Sequence, residues 1–244
     1  MEILRTAGLS KSFLLKGEPR LILKDVNFGM QQGRFVSIIG SSGCGKSTFL
    51  ELLAGITRPD AGEISFKGQS ITGKSGFLGY MPQDDLLFPW LTLTDNVLLP
   101  VRIKGGNLQR ARIRIRELLP VFGLQEHATH LPYQLSGGLK QRAAFLRTCM
   151  CDTELLLLDE PFASLDAITR VQLQLWLKQI TQELALSVIL VTHDIDEAIT
   201  LSDEIHIMQK SPGTLVDSVL LEQQLDLDDP QRVKLKLRLL ELVR

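Results

Sequence analysis

The chain has no long apolar run. Its longest hydrophobic clusters, residues 155–158 and 188–191, are far shorter than the ~18 consecutive apolar residues that a membrane-spanning helix needs. The first residues also lack the basic-then-apolar pattern of a secretory signal peptide. We therefore expect a protein that does not cross a membrane by itself.

Excess charge of one sign and cysteine are both scarce. The 27 basic and 28 acidic residues give a net charge of -1, which excludes a global field that would attract nucleic acid or anionic lipid. The three cysteines, Cys44, Cys149 and Cys151, argue against a disulfide framework and for a reducing cytosol. Cys149 and Cys151 have one residue between them, a poor metal spacing, so they are interpreted as small helix residues.

The order of the hydrophobic patterns predicts an α/β fold. Strands are expected first, then a buried strand that leads through a glycine-rich loop into a helix, and later two buried strands separated by a helical stretch. That last arrangement is typical of a parallel sheet with right-handed crossovers. The predicted strands cover residues 3–9, 21–23, 26–30, 34–39, 155–158 and 188–191, and the flanking helices cover 47–54 and 167–184.

A mostly helical block, residues 91–150, interrupts this α/β pattern. Within it, residues 109–122 carry an Arg-rich face that we interpret as solvated and not as a nucleic-acid groove. The tail, residues 230–244, alternates like a strand but has a composition that favours an amphipathic helix. A helix is the preferred interpretation of the tail.

Residues 40–48, with the sequence GSSGCGKST, match the pattern G-x-x-x-x-G-K-[ST] between a predicted strand and a predicted helix. Glycines let consecutive N–H groups turn towards phosphate oxygens, and the helix adds its positive N-terminal end. Lys46 is expected to bridge the β- and γ-phosphates, and the Ser47 hydroxyl to ligate Mg²⁺. The predicted nucleotide contacts in this loop are Gly40, Ser41, Ser42, Gly43, Cys44, Gly45, Lys46, Ser47 and Thr48.

Residues 155–160, with the sequence LLLLDE, form an apolar strand that delivers two carboxylates at its C-terminal end. Ligands of open α/β sheets bind at that end. Asp159 is expected to contact Mg²⁺, and Glu160 to polarise the water that attacks the γ-phosphate. Combined with the phosphate loop, the pair indicates nucleotide hydrolysis.

Residues 135–142, LSGGLKQR, resemble the signature of the ABC transporter ATP-binding family. A serine and two glycines that open a helix present a hydroxyl and unobstructed N–H groups to an anion. The resemblance implies that Ser136, Gly137 and Gly138 contact the γ-phosphate held by another protomer, in an ATP-dependent head-to-tail homodimer. The chain departs from the commonest signature at Leu139, where glutamine is usual.

Further elements of the ABC family can be placed residue by residue. The resemblance implies that Gln83 reaches Mg²⁺ and the attacking water, that residues 164–166 form a loop across the dimer interface, and that His193 touches the γ-phosphate. Phe13 matches the aromatic that stacks on adenine, which we prefer to the alternative that it is an ordinary strand residue packing on the core. His127, His130 and His206 have no such company and are interpreted as structural.

Residues 86–92, LLFPWLT, begin three positions after Gln83 and form an aromatic-proline cluster. Such a cluster is a plausible groove for a helix of a membrane permease, but the same residues could pack the helical block. The longer stretch 80–90 also resembles importers of nitrate, sulfonates and taurine, a group that includes importers of a thiamine pyrimidine precursor.

The resemblance implies a P-loop NTPase (RecA-like) fold, with a parallel-sheet core, an N-terminal antiparallel β subdomain and an inserted α-helical subdomain. The expected division is 1–83 with 155–215 for the ATP-binding core, 84–154 for the helical signature subdomain and 216–244 for a C-terminal extension. The expected cofactors are ATP and Mg²⁺. The expected partners are transmembrane permease subunits and, indirectly, a solute-binding protein, which place the chain peripherally on the cytoplasmic face of the membrane.

Two other functions are possible for such a sequence. A soluble ABC ATPase that acts on DNA or the ribosome would be expected to carry a long coiled-coil insertion or a second ATPase domain, and this chain shows neither. A P-loop kinase would keep residues 40–48 but has no use for the signature or for His193. The sequence therefore favours an importer ATPase whose cargo the sequence does not define.

Overall fold

A computed structural model describes residues 1–210, 212–221 and 229–243 of the chain. The chain divides into two compact units. The first contains residues 1–77 together with the described part of 185–244, and the second contains residues 78–184. The second unit is thus an insertion between the two halves of the first.

The described residues form ten strands and seven α-helices. The strands are β1 (Glu2–Leu15), β2 (Glu18–Gln31), β3 (Phe35–Ile39), β4 (Ala61–Phe66), β5 (Gln69–Ser70), β6 (Gly79–Met81), β7 (Leu155–Asp159), β8 (Ser187–Thr192), β9 (Glu204–Gln209) and β10 (Thr214–Leu220). The helices are α1 (Lys46–Leu53), α2 (Leu93–Ile103), α3 (Leu108–Val121), α4 (Gly137–Cys149), α5 (Ala167–Glu183), α6 (Ile195–Leu201) and α7 (Pro230–Val243).

The first unit contains an antiparallel sheet and parallel strand pairs. The antiparallel sheet has the order β2-β1-β4-β5. In the other sheet, β3 pairs in parallel with both β8 and β9, and β10 lies antiparallel to β9. Every residue of β3 and β8 is buried, as expected for parallel strands covered on both faces. The mixed α/β architecture confirms the predicted fold class.

The N-terminal region differs from the three short strands predicted for it. It forms one long hairpin, in which β1 and β2 are joined by a tight turn with Lys16 (φ 54) and Gly17 (φ 85). Several register shifts interrupt the pairing, for example between Thr6 and Leu9. These bulges break the alternation of apolar and polar residues, so the pattern indicates separate short strands where the backbone continues.

The second unit combines a parallel strand pair with four helices. β6 pairs in parallel with β7, with Tyr80 opposite Leu157. Three aromatic rings, those of Phe122, Phe145 and Trp176, form a cluster with centroids 5.3 to 5.9 Å apart. This cluster joins the end of α3 to α4 and α5.

The remaining predictions for the helices agree closely with the structure. Helices α1, α3 and α5 begin and end within one residue of the predicted bounds, and the tail forms helix α7, with Leu239 fully buried beside Ile195 and Ile205. Arg244 lies outside the described residues. Cys151 was predicted to lie in a helix, but it follows the end of α4 because Met150 caps that helix. Among the described helices, none is long and apolar enough to span a bilayer.

Candidate functional site

The loop of residues 40–48 connects β3 to α1 in the first unit. Gly45 has φ 106, and a Cβ there would lie 2.7 Å from the Leu23 side chain. A Cβ on Gly40 would lie 2.3 Å from the carbonyl oxygen of Met208. Both glycines are therefore required because a side chain would collide with residues that are distant in the sequence, and Gly45 is required also because of its positive φ.

Lys46 is the first residue of α1 and is buried. Its Nζ donates to the carbonyl oxygens of Gly40, at 2.8 Å, and Ser41, at 3.3 Å. The ammonium thus lies inside the curve of the loop, at the N-terminus of a helix where an anion would be stabilised. Cys44 is buried in the same loop, and this burial raises the pKa of its thiol. The loop has the backbone and the charge to hold phosphate groups.

His193 and Phe13 also belong to the first unit. His193 is exposed between β8 and α6, and Asp194 caps α6 by accepting hydrogen bonds from the N–H groups of Asp196, at 2.9 Å, and Glu197, at 3.2 Å. Phe13 is half-buried on β1, with the Lys11 ammonium 5.3 Å from its ring centroid. Both side chains are accessible and lie outside the fully buried core.

Asp159 is the last residue of β7, in the second unit, and is buried. The Tyr80 hydroxyl donates to Asp159 Oδ2 over 3.3 Å. No sequence motif pointed to a role for this tyrosine. The pairing of the strands explains its position, because β6 runs parallel to β7 and brings Tyr80 beside the strand that ends in the carboxylate.

Glu160 follows directly and has a left-handed backbone conformation, with φ 43. For a residue other than glycine this conformation costs on the order of 1 kcal/mol or more. Such strained residues cluster at functional sites because the strain fixes the direction of a side chain. Gln83 is exposed just beyond β6, in the same unit.

The signature residues 135–142 open helix α4, also in the second unit. Ser136 is its N-cap, and the hydroxyl oxygen accepts a hydrogen bond from the Leu139 N–H at 3.4 Å. A Cβ on Gly137 would lie 3.2 Å from Leu165, and one on Gly138 would lie 3.1 Å from Thr169. The two glycines therefore permit a close approach of the segment that leads into α5.

That segment contains Asp166, which was assigned to an interface loop by resemblance. In the structure Asp166 is the N-cap of α5 and accepts from the Thr169 N–H at 3.0 Å. The hydrogen bonds from Thr169 lower the pKa of the Asp166 carboxyl. Asp166 therefore stabilises the N-terminus of α5, and this role is independent of any interface contact.

The three other histidines make contacts of a structural kind. The Nδ1 atoms of His127 and His130 lie 3.0 Å apart. His206 packs its ring 4.9 Å from that of Phe28, and its Nε2 lies 2.8 Å from a Glu204 oxygen. Burial lowers the pKa of His206.

Comparison with known proteins places these motifs in a family. The family described as ABC transporter matches residues 23–163. The taurine import ATP-binding protein TauB of Pseudomonas aeruginosa is 39% identical over 216 residues, covering 88% of this chain and 82% of that protein. The aliphatic sulfonates import ATP-binding protein SsuB 1 of Xanthomonas axonopodis pv. citri is 42% identical over 204 residues, covering 83% of this chain and 81% of that protein.

Another relative is a longer protein. The bicarbonate transport ATP-binding protein CmpC of Synechococcus elongatus is 40% identical over 228 residues, which cover 92% of this chain and 34% of that protein. Among solved structures, a dimeric ATP-binding cassette in a post-hydrolysis state bound to ADP and Pi is 30% identical, with a TM-score of 0.78, and covers 91% of this chain and 100% of its own. The chain therefore belongs to the ABC transporter family, as one of its ATP-binding cassettes.

Proposed function

We propose that this chain is the ATP-hydrolysing subunit of an ABC importer for a small polar or anionic solute. The observation that carries the proposal is the phosphate loop between β3 and α1, with buried Lys46 inside its curve. The names of the relatives, which refer to taurine, aliphatic sulfonates and bicarbonate, support an anionic cargo of that kind. The proposed range of cargo also includes a nitrate-like anion and a thiamine pyrimidine precursor. The non-transport alternative has no support among these relatives.

In this proposal the nucleotide is bound mainly through its phosphates. The N–H groups of residues 40–48 and the Lys46 ammonium contact the phosphate oxygens, because both present positive charge at the N-terminus of α1. Phe13 stacks on the adenine ring, since a half-buried aromatic side chain offers an accessible face.

Magnesium is the proposed metal. The proposed ligands are Ser47, Gln83 and Asp159, whose hydroxyl, amide and carboxylate oxygens are the donor types that Mg²⁺ prefers. Burial of the Asp159 carboxylate fits this assignment, because a buried acid is costly unless a cation or hydrogen bonds compensate its charge. When bound, the metal would neutralise charge on the phosphate oxygens.

Hydrolysis is assigned to Glu160, His193, Gln83 and Lys46. Glu160 accepts a hydrogen bond from the attacking water and draws off its proton, and its left-handed backbone fixes the direction of the carboxylate. Gln83 orients the same water through its amide. His193 and Lys46 donate to γ-phosphate oxygens and stabilise the charge that develops there.

The signature of each protomer completes the site of another protomer. Ser136, Gly137 and Gly138 offer a hydroxyl and N–H groups at the start of α4, which suits the γ-phosphate of a nucleotide bound by a second copy. ATP binding would therefore hold two copies together, and hydrolysis would release them. Domain bounds of 1–83 with 155–215, 84–154 and 216–244 remain part of this proposal.

The permease is proposed to dock on residues 86–92, which belong to an irregular stretch of residues 84–92, hereafter the 84–92 segment. Phe88 and Trp90 are 42% and 71% exposed, and their rings contact each other at 5.3 Å. Exposed adjacent aromatic side chains favour an interface over packing in the protein interior. This docking would place the chain on the cytoplasmic face of the membrane, with a solute-binding protein supplying cargo from the other side.

Glu160→Gln tests the proposal. The amide keeps the shape of the side chain but cannot take a proton, so the rate of phosphate release should fall by at least ~100-fold while MgATP still binds. Dimers should accumulate with ATP, as measured by light scattering. Glu117→Gln, an exposed position on α3, is the matched control and should hydrolyse at the wild-type rate. Turnover of Glu160→Gln within about threefold of wild type would remove Glu160 from this role.

A further inference from the structure

The 84–92 segment contains no strand or helix, yet it displays three large apolar side chains. Leu86 is 60% exposed, in addition to Phe88 and Trp90. An irregular segment that exposes apolar surface in a fixed arrangement must be held by contacts from elsewhere, because its backbone lacks a regular hydrogen-bond ladder. Two side chains of the second unit provide these contacts.

The first is Arg147, in the last turn of α4. Its guanidinium donates to the carbonyl oxygens of Leu86, at 2.7 Å, and Asp85, at 2.6 Å. Leu86 has a left-handed conformation with φ 43, which turns its carbonyl out of the usual direction. Hydrogen bonds from a charged donor are stronger than neutral ones. Arg147 thus stabilises an otherwise unfavourable bend.

The second is Asn96, a fully buried residue in the first turns of α2. Its Nδ2 donates to the carbonyl oxygens of Phe88, Leu91 and Thr92, each at 3.1 Å, and its Oδ1 accepts from the Phe88 N–H at 2.8 Å. An amide side chain is suited to this position because it can donate and accept at the same time. The part of the segment with the two aromatic residues is therefore anchored to α2.

We propose that Arg147 and Asn96 are positioning residues that fix the exposed face of the 84–92 segment, and that Arg147 makes this face move with the signature helix. Ser136 caps the N-terminus of α4, and Arg147 lies 11 residues further along, roughly 16 Å at 1.5 Å per residue. Motion of α4 when Ser136 engages a nucleotide is thereby carried to the permease-facing side chains. This inference rests on the proposed function and names the residues that transmit its motion.

The first experiment uses Arg147→Met, which keeps an unbranched apolar side chain on α4 and removes the guanidinium donors. Hydrogen exchange of the amides in residues 86–92 should accelerate by ~10-fold or more, because the segment loses its anchor to α4. Arg114→Met is the matched control, since Arg114 forms a 3.2 Å surface ion pair with the exposed Asp152. It should leave exchange in residues 86–92 unchanged. Arg147→Lys, which retains a single charged group, should be intermediate.

The second experiment asks whether nucleotide binding reaches the segment. The chain has two tryptophans, Trp90 and Trp176, so Trp176→Phe leaves Trp90 as the only tryptophan, which can be excited selectively. In this background with Glu160→Gln, MgATP should change the anisotropy of Trp90 as the dimer forms. Adding Arg147→Met should reduce that change to less than about a third while light scattering still detects the dimer.

The outcomes separate the inference from the function on which it rests. Failure of the Glu160→Gln protein to dimerise with MgATP would contradict the proposed function itself. A dimer whose Trp90 response is the same with and without Arg147→Met would contradict the inference alone, as would unchanged hydrogen exchange. If Arg147→Met melts too early to study, Arg147→Lys and Asn96→Leu at low temperature provide the same comparison.

Discussion

The phosphate loop and the 84–92 segment each hold an irregular stretch of backbone in one conformation, and they do so in different ways. Both are irregular stretches that follow a strand, and both contain residues with positive φ. The phosphate loop places glycines there, Gly43 at φ 76 and Gly45 at φ 106, whereas the segment places a leucine, Leu86, at φ 43. Glycine occurs where a side chain would collide or where the backbone must approach a ligand. Leucine occurs at the position where the side chain itself is exposed on the surface.

The two stretches also differ in what holds them. In the phosphate loop, Lys46 bonds to carbonyl oxygens five and six residues away. In the 84–92 segment, Arg147 reaches carbonyl oxygens 61 and 62 residues away. Asn96 bonds to the same segment from only four to eight residues away. The charged contact is therefore local in the phosphate loop, whereas in the 84–92 segment it depends on the packing of α4. Perturbing each stretch separately tests this difference.

The largest effect is expected for Gly45→Val in the phosphate loop. Its Cβ would lie 2.7 Å from Leu23, and φ 106 is unfavourable for a side chain. Strain and overlap of ~2 kcal/mol or more would weaken nucleotide binding by ~30-fold or more. Titration with a fluorescent ATP analogue measures the affinity. Gly33→Ala is the control, because Gly33 has φ 76 but no atom within 4 Å of its added Cβ, so it reports strain without collision.

If Gly45→Val bound nucleotide within about threefold of wild type, steric demand would not explain the glycine. Exchange of residues 86–92 should be unaffected in this variant. A large effect there would mean that the two stretches are not held independently.

A smaller effect on stability is expected for Phe88→Ser/Trp90→Ser in the 84–92 segment. Because both side chains are exposed, the free energy of unfolding should change by less than ~1 kcal/mol, whereas truncation of a buried aromatic residue costs roughly 3 to 5 kcal/mol. Permease co-purification and transport should be lost together, and basal hydrolysis should stay. Phe122→Ser/Phe145→Ser, in the buried aromatic cluster, is the destabilised control. An early melt with pull-down lost only in proportion to unfolded protein would contradict docking.

The difference between local and distant constraints also decides what the sequence could reveal. The phosphate loop, the Asp159–Glu160 pair and the signature are contiguous patterns, so they predicted the family and the α/β fold, which are confirmed. The contacts of Tyr80 with Asp159 and of Arg147 with the segment were not predicted, because only the folded chain brings these residues close. Asn96 was not predicted because it belongs to no motif, although its partners lie only four to eight residues away. The N-terminal hairpin was wrongly predicted as three short strands, because its bulges interrupt the alternation of apolar and polar side chains.

The smallest effect is expected for Leu86→Gly. Removing the side chain relieves the left-handed strain of on the order of 1 kcal/mol, but the unfolded chain gains freedom worth a similar amount. The free energy of unfolding, measured by urea denaturation, should therefore change by less than ~1 kcal/mol. Leu87→Gly is the neighbouring control and should cost ~2 to 5 kcal/mol, because Leu87 is only 8% exposed. If Leu86→Gly cost ~2 kcal/mol or more, the leucine would be a packing residue and not one that the segment holds outwards. A neutral result with weakened permease binding would mean that Leu86 tolerates its strained backbone for the sake of the surface it exposes.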